Sequence, residues 1–114
     1  MSLSEYNQFY QVYHRGDIKI TNFFNLFRKK GVELTLGLLS KAEDKQMLQS
    51  EFLNSLKDKK NDLNAYFRIK KELLYHKIIG FKLNRNAKKV IYLTDRGKRI
   101  YEYLMYIEKE LNID

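Results

Sequence analysis

The sequence predicts a mainly α chain with one small β-hairpin, an α+β arrangement, and three observations carry that expectation. Apolar residues recur at three- and four-residue spacing along most of the 114 residues, which marks helices with one buried stripe. The helical period gives way at FKLNRNAKKVIYL (81–93), where two β-prone runs flank a basic, polar turn and spell a hairpin. Positive charge gathers around that hairpin and the helix before it. Residues 57–99 hold 14 Lys and Arg against 4 Asp and Glu, a local net of +10, while the other 71 residues hold 8 bases and 10 acids, a net of −2. A surplus needed only for solubility would be spread out, whereas a surplus on one helix and one hairpin suits a polyphosphate partner.

A chain of this length builds one core, so residues 1–114 are expected to form a single domain. N-terminal helices would occupy 1–45, the basic helix pair and hairpin 46–94, and a final helix 95–114. Tyr6, Phe9, Tyr10 and Tyr13 fall at helical spacing and predict a short aromatic helix that breaks near Arg15, Gly16 and Asp17. Its rings suit core or dimer contacts better than base stacking. Thr21 is placed to cap a helix running to about Lys30, with Phe23, Phe24, Leu26 and Phe27 as its buried face and Gly31 as its stop. A helix follows over Val32–Ala42, with Leu36, Leu38 and Leu39 turned inward. Met47, Leu48, Phe52, Leu53 and Leu56 mark the next, which ends in the charged run Lys57–Lys60.

The helix from about Asp62 to Lys77 begins where Asn61 or Asp62 can satisfy free amides of the first turn. Tyr66, Ile69 and Leu73 commit one side to the core and leave Asn64, Phe67, Arg68, Lys71 and Tyr75 nearer the other. Phe81–Leu83 and Val90–Leu93 form the two strands, with Asn84–Lys89 as the tip. Thr94 or Asp95 caps the last helix, Arg96–Leu111. In it Ile100, Leu104, Ile107 and Leu111 step by four, three and four, the spacing of an interhelical seam. Tyr101, Tyr103, Met105 and Tyr106 widen that surface beyond the needs of one small core, which predicts packing against a partner subunit.

Other classes find little support. No cysteine is present, and His14 and His76 are the only histidines, so neither a disulfide framework nor a zinc cluster is expected. The acids form no constellation with His or Cys, and no glycine motif cradles a phosphate, so neither an enzyme nor a cofactor is expected. No apolar run approaches a bilayer's thickness, and the polar-aromatic first residues lack the order of a secretory signal. A cytoplasmic, nucleoid-associated protein without a membrane partner is the expectation. The absence of Pro, with many Lys, Ile, Asn and Tyr, fits an AT-rich genome such as that of an archaeon, virus or plasmid.

From about Met47 to Leu104 the chain resembles the winged helix-turn-helix domains of the MarR and PadR type. Three blocks carry the resemblance: MLQSEFLNSL, AYFRIKKELLYHKII and FKLNRNAKKVIYLTDRGKRI. Arg68, Ile69, Leu73, Ile78 and Ile79 stand in the family's Arg-Leu…Leu…Gly-Leu-Ile pattern, with Lys77 where the family usually has Gly. Leu93, Thr94 and Gly97 match its Leu-Thr-x-x-Gly block. The resemblance implies a homodimer that lays the Asp62–Lys77 helix of each subunit in successive major grooves of double-stranded DNA, with wings reaching the minor groove or backbone.

On that reading Arg68 suits a guanine, Asn64 an adenine edge or phosphate, and Lys71 a phosphate. Arg85 suits a narrow minor groove. Lys82, Lys88 and Lys89 would bind backbone, Gln49 and Ser50 would position the domain on phosphates, and Asn61, Phe67, Asn84 and Asn86 complete the surface. Ile100, Tyr103, Leu104, Ile107 and Leu111 would hold the dimer. The leading expectation is a sequence-specific transcriptional regulator, a repressor on an inverted repeat. A plasmid-partition or chromatin-like architectural protein that spreads on DNA uses the same parts, with the N-terminal segment meeting a protein partner. A winged helix that meets an acidic protein ranks third, because arginine and asparagine serve base edges better than a carboxylate surface.

Overall fold

The computed structural model describes residues 20–112; the aromatic helix expected at Tyr6–Tyr13 lies outside the described residues. The chain is mainly helical, with a three-stranded antiparallel sheet. In chain order the elements are α1 (Ile20–Phe27), α2 (Lys30–Lys41), a 3-10 turn (Glu43–Lys45), β1 (Gln46–Leu48), α3 (Gln49–Lys57), α4 (Lys60–Tyr75), β2 (Ile79–Leu83), β3 (Lys89–Leu93) and α5 (Asp95–Leu111).

Leu26 of α1, Val32, Leu36 and Leu39 of α2, Phe52 and Leu56 of α3, and Tyr66, Ile69 and Leu73 of α4 converge with Ile79, Ile91 and Leu93 of the sheet in one core. Each set keeps to the three- and four-residue steps of its helix, so every helix brings a single stripe inward. The rings of Phe52 and Tyr66 meet edge-on at 4.9 Å, and both are essentially inaccessible. Truncating either to alanine would cost about 3–5 kcal/mol, a large share of the roughly 5–15 kcal/mol that holds a domain folded.

Helix boundaries differ from expectation at four places. Helix α1 begins at Ile20 and ends at Phe27, so Thr21 lies within it rather than capping it, and it stops short of Lys30. Gly31 does not stop a helix: it is the second residue of α2, buried where α2 crosses α4. A side chain there would collide with the carbonyl oxygen of Ala65 and the side chain of Ile69, so glycine serves close approach rather than termination. Met47 and Leu48 belong to a strand rather than to the third helix, pairing with Ile91 and Val90 at the sheet edge. Three residues carry no readable period, and only the partner strand makes them extended. Helix α4 starts at Lys60, behind Lys59 as its N-cap without a side-chain cap. Asp62 instead lies buried, its Oδ1 2.7 Å from Lys30 Nζ. Two rings expected inside are outside: Phe23 and Phe24 of α1 are exposed, packed edge-on against each other at 5.3 Å.

The sheet has the order β1-β3-β2, with Ile79 paired to Leu93 and Leu83 to Lys89 across the hairpin. Its tip is the three-residue type of loop, closed by Asn84 N–H to Lys88 O at 2.9 Å and Ala87 N–H to Asn84 O at 3.0 Å, with Ala87 left-handed at φ 59°, as such loops require. Asn84 Oδ1 also accepts from the Asn86 and Lys88 amides. The tip is thereby braced from within.

How α4 hands over to the hairpin decides where the hairpin points. The Lys77 amide donates to Leu74 O at 3.0 Å and the Ile78 amide to Leu73 O at 2.9 Å, the paired bonds of a Schellman motif, with Leu73 and Ile78 both buried beneath it. That motif needs a left-handed residue and usually takes glycine; here Lys77 occupies it at φ 57°. A lysine thus holds a turn position that glycine fills at lower cost.

The Leu-Thr-x-x-Gly block clamps this turn from the far side. Thr94 Oγ1 lies 2.5 Å from Lys77 O and 3.1 Å from Ile78 O and accepts from Gly97 N–H at 2.9 Å. Thr94, rather than Asp95, is thus the N-cap of α5. Gly97 packs so closely on Ile78 that any side chain would strike its carbonyl oxygen, and Arg96 donates to His76 O at 3.1 Å.

Two stability predictions follow from these contacts. Lys77→Gly removes the left-handed penalty and is expected to stabilise by ~0.5–1 kcal/mol, whereas Gly97→Ala is expected to destabilise by at least as much; urea unfolding midpoints check both. Burial also pushes the Tyr66 hydroxyl up from 10.0 to about 12. Its contribution to stability is therefore complete below the unfolded pKa and lost as pH rises through the folded one, at up to ~1.4 kcal/mol per pH unit. Denaturant midpoints across the alkaline range should fall less steeply for Tyr66→Phe than for the parent.

Candidate nucleic-acid interface

Helices α3 and α4 are joined by the two-residue turn Asp58–Lys59, and α4 sends its two acids away from its open side. Asp62 pairs with Lys30 at 2.7 Å and Glu72 with Lys29 at 2.9 Å, both lysines lying at the α1–α2 junction. The exposed residues of α4 are then Asn61, Asn64, Phe67, Arg68, Lys71, Leu74 and Tyr75, one helical stripe without a carboxylate. Among the described residues, Asn64, Arg68 and Lys71 make no ion pair and no side-chain hydrogen bond, so their donors are available to a ligand. Expected and observed faces coincide here because Tyr66, Ile69 and Leu73 anchor the opposite side.

At the hairpin the expected group divides. Arg85, Asn86 and Lys88 stand exposed at the tip. Lys89 shares the helix-facing side of the sheet with Phe81, and its Nζ lies 4.4 Å from that ring's centre. Lys70 Nζ of α4 approaches the same ring at 5.2 Å. Two cations on one ring link the hairpin base to α4 and leave the shared surface positive. Lys82 points to the other side, because it pairs with Val90 and shares that face with Tyr92, over whose ring its Nζ lies at 5.2 Å. The three lysines therefore do not form one patch. The strand alternation that separates them is plain in the sequence once the register is known.

Of the α3 pair, Ser50 is exposed, but Gln49 is half-buried and its Oε1 is enclosed without a hydrogen-bond partner. Gln49 is turned inward and leaves the surface set. Lys70, not among the residues expected to act, joins it through its place beside Phe81, a contact that no sequence spacing announces.

The seam expected along α5 also divides. Ile100, Tyr101 and Leu104 pack on the chain's own core, so Ile100 and Leu104 are committed to this chain's own packing. Tyr103, Met105, Tyr106, Ile107 and Leu111 are instead exposed, Leu111 at 80%. Leu34 and Leu38 of α2 face Leu104 and Met105 across an open, largely apolar groove of about 710 Å³.

Among the described residues no helix is long and apolar enough to cross a membrane. Comparison of the chain with protein-family profiles, with curated proteins and with solved structures finds no match.

Proposed function

We propose that the chain is a winged helix-turn-helix protein that binds double-stranded DNA sequence-specifically as a homodimer and acts as a transcriptional regulator, a repressor on an inverted repeat. The observation that carries this reading is the open stripe of α4: amides, cations, two rings and a leucine, with both acids of the helix turned away and paired. A helix of 16 residues spans about 24 Å and is narrow enough for the major groove.

In this reading α3 crosses the backbone, with Ser50 near a phosphate. Arg68 meets guanine through its two-pronged guanidinium, Asn64 meets an adenine edge, and Lys71 neutralises phosphate. The hairpin carries Arg85 and Lys88 to the neighbouring minor groove or backbone. Lys70 and Lys89 reinforce the positive surface between the two elements. Two such surfaces are needed for an inverted repeat, and the exposed apolar half of α5 with the adjoining α2–α5 groove supplies area for a second copy.

Binding-site selection on random duplexes with the full chain should return a two-fold symmetric sequence. Arg68→Ala is then expected to cost ~1–3 kcal/mol on that site and relax preference at one base pair per half-site, with a smaller effect on random duplex. Arg68→Lys should recover charge without the fork and restore only part of the preference. Equal losses on selected and random duplexes would remove Arg68 as a base reader.

Salt titration tests the backbone contacts. The logarithm of the binding constant should fall with log salt at ~0.9 per phosphate neutralised, and replacing Lys71 and Lys88 together by alanine should lower the slope by about two. Failure to bind any duplex at low salt would sink the proposal.

A further inference from the structure

Phe67 is the apolar side chain set among the amides and cations of the α4 stripe, whereas Leu74 and Tyr75 lie at its C-terminal end. Phe67 is 52% exposed, it lies one helical turn from Asn64 and from Lys71, and Arg68 is its immediate neighbour. An apolar ring in the middle of a hydrated, cationic stripe gains nothing from water. Its position is nonetheless held firmly. The Phe67 ring packs against Tyr66 at 5.4 Å with the planes tilted by 50°, and Tyr66 is itself wedged edge-on against Phe52 in the core. The rings form a ladder from the core to the surface, so the outer face of Phe67 is presented in a fixed place rather than swinging freely.

In the major groove the apolar feature that a ring can meet is the 5-methyl group of thymine. Asn64 and Phe67 are separated by about 4.5 Å along the helix axis, slightly more than the ~3.4 Å between stacked bases. A helix that brings Asn64 to an adenine therefore brings Phe67 to an adjacent step. On these grounds we infer that Phe67 is a specificity-determining residue that reads a thymine methyl beside the base addressed by Asn64, so that these two adjacent steps of each half-site are A·T rather than G·C. The inference rests on the DNA-binding reading above and adds to it the base chemistry of one position.

The test needs no variant in its first arm. A duplex selected from random sequence is prepared once with thymidine and once with deoxyuridine, which pairs identically but lacks the methyl group, and the affinity of the full chain is measured at one salt concentration. Loss of each contacted methyl should weaken binding about fourfold, the worth of one buried methylene. The full chain carrying Phe67→Ala should bind the thymidine duplex more weakly by a similar factor and should not distinguish the two duplexes. Phe67→Leu should retain part of the discrimination.

Wild-type protein that binds both duplexes equally would overturn the inference while leaving DNA binding intact. So would a deoxyuridine penalty of equal size in Phe67→Ala, since the methyl would then be read elsewhere. A chain that binds neither duplex would remove the DNA-binding reading itself, and Phe67's assignment with it.

Discussion

The left-handed turn at Lys77 is the constraint on which the rest of the arrangement depends. Ending α4 there with two paired backbone bonds reverses the chain within three residues and sends it directly into β2. Without that reversal the hairpin would leave the helix at another angle, and Lys70 and Lys89 would not meet over Phe81. Lysine is a costly choice for such a position, and the cost is offset from outside. Thr94 bonds the carbonyls of Lys77 and Ile78, Gly97 lets α5 lie against Ile78, and Leu73 and Ile78 close the turn from below. Thus the Leu-Thr-x-x-Gly block, which lies near the candidate surface, is a structural clamp.

Charge on α4 is sorted by the same packing. A helix with both acids and bases presents a mixed face unless something fixes which side each sign occupies. Lys29 and Lys30, brought beside α4 by the close crossing at Gly31, take up Glu72 and Asp62. Removal of these carboxylates from the open side matters more to the local potential than any one added lysine, since each would otherwise repel a phosphate at short range. The tight helix contact and the cationic stripe are two consequences of one crossing.

Helix α5 divides its labour along its length. Its first turns complete the core through Ile100, Tyr101 and Leu104, while its last turns carry Tyr106, Ile107 and Leu111 beyond the body that its own chain can cover. A seam of constant spacing in sequence therefore serves two different surfaces.

Much of this was legible in the sequence. The hairpin, the exposed cationic face of α4 and a cap at Thr94 or Asp95 all rest on local rules: alternation, a repeat that turns one stripe inward, and a short polar side chain before a helix. Residues such as Tyr66, Ile69 and Leu73 determine by spacing alone that Asn64, Arg68 and Lys71 lie opposite them. Tertiary structure decided what depends on partners distant in the chain. Gln46–Leu48 became a strand only because β3 offers it an edge, and Gly31 became an interior helix residue because α4 passes too near for a side chain. Asp62 became a buried ion-pair partner rather than a cap because Lys30 is there to meet it. Lys82 parted from Lys89 because strand register sets the face, and Gln49 turned inward because its helix packs that side down. Local rules specify which atoms share a face; only the folded neighbours decide what that face meets.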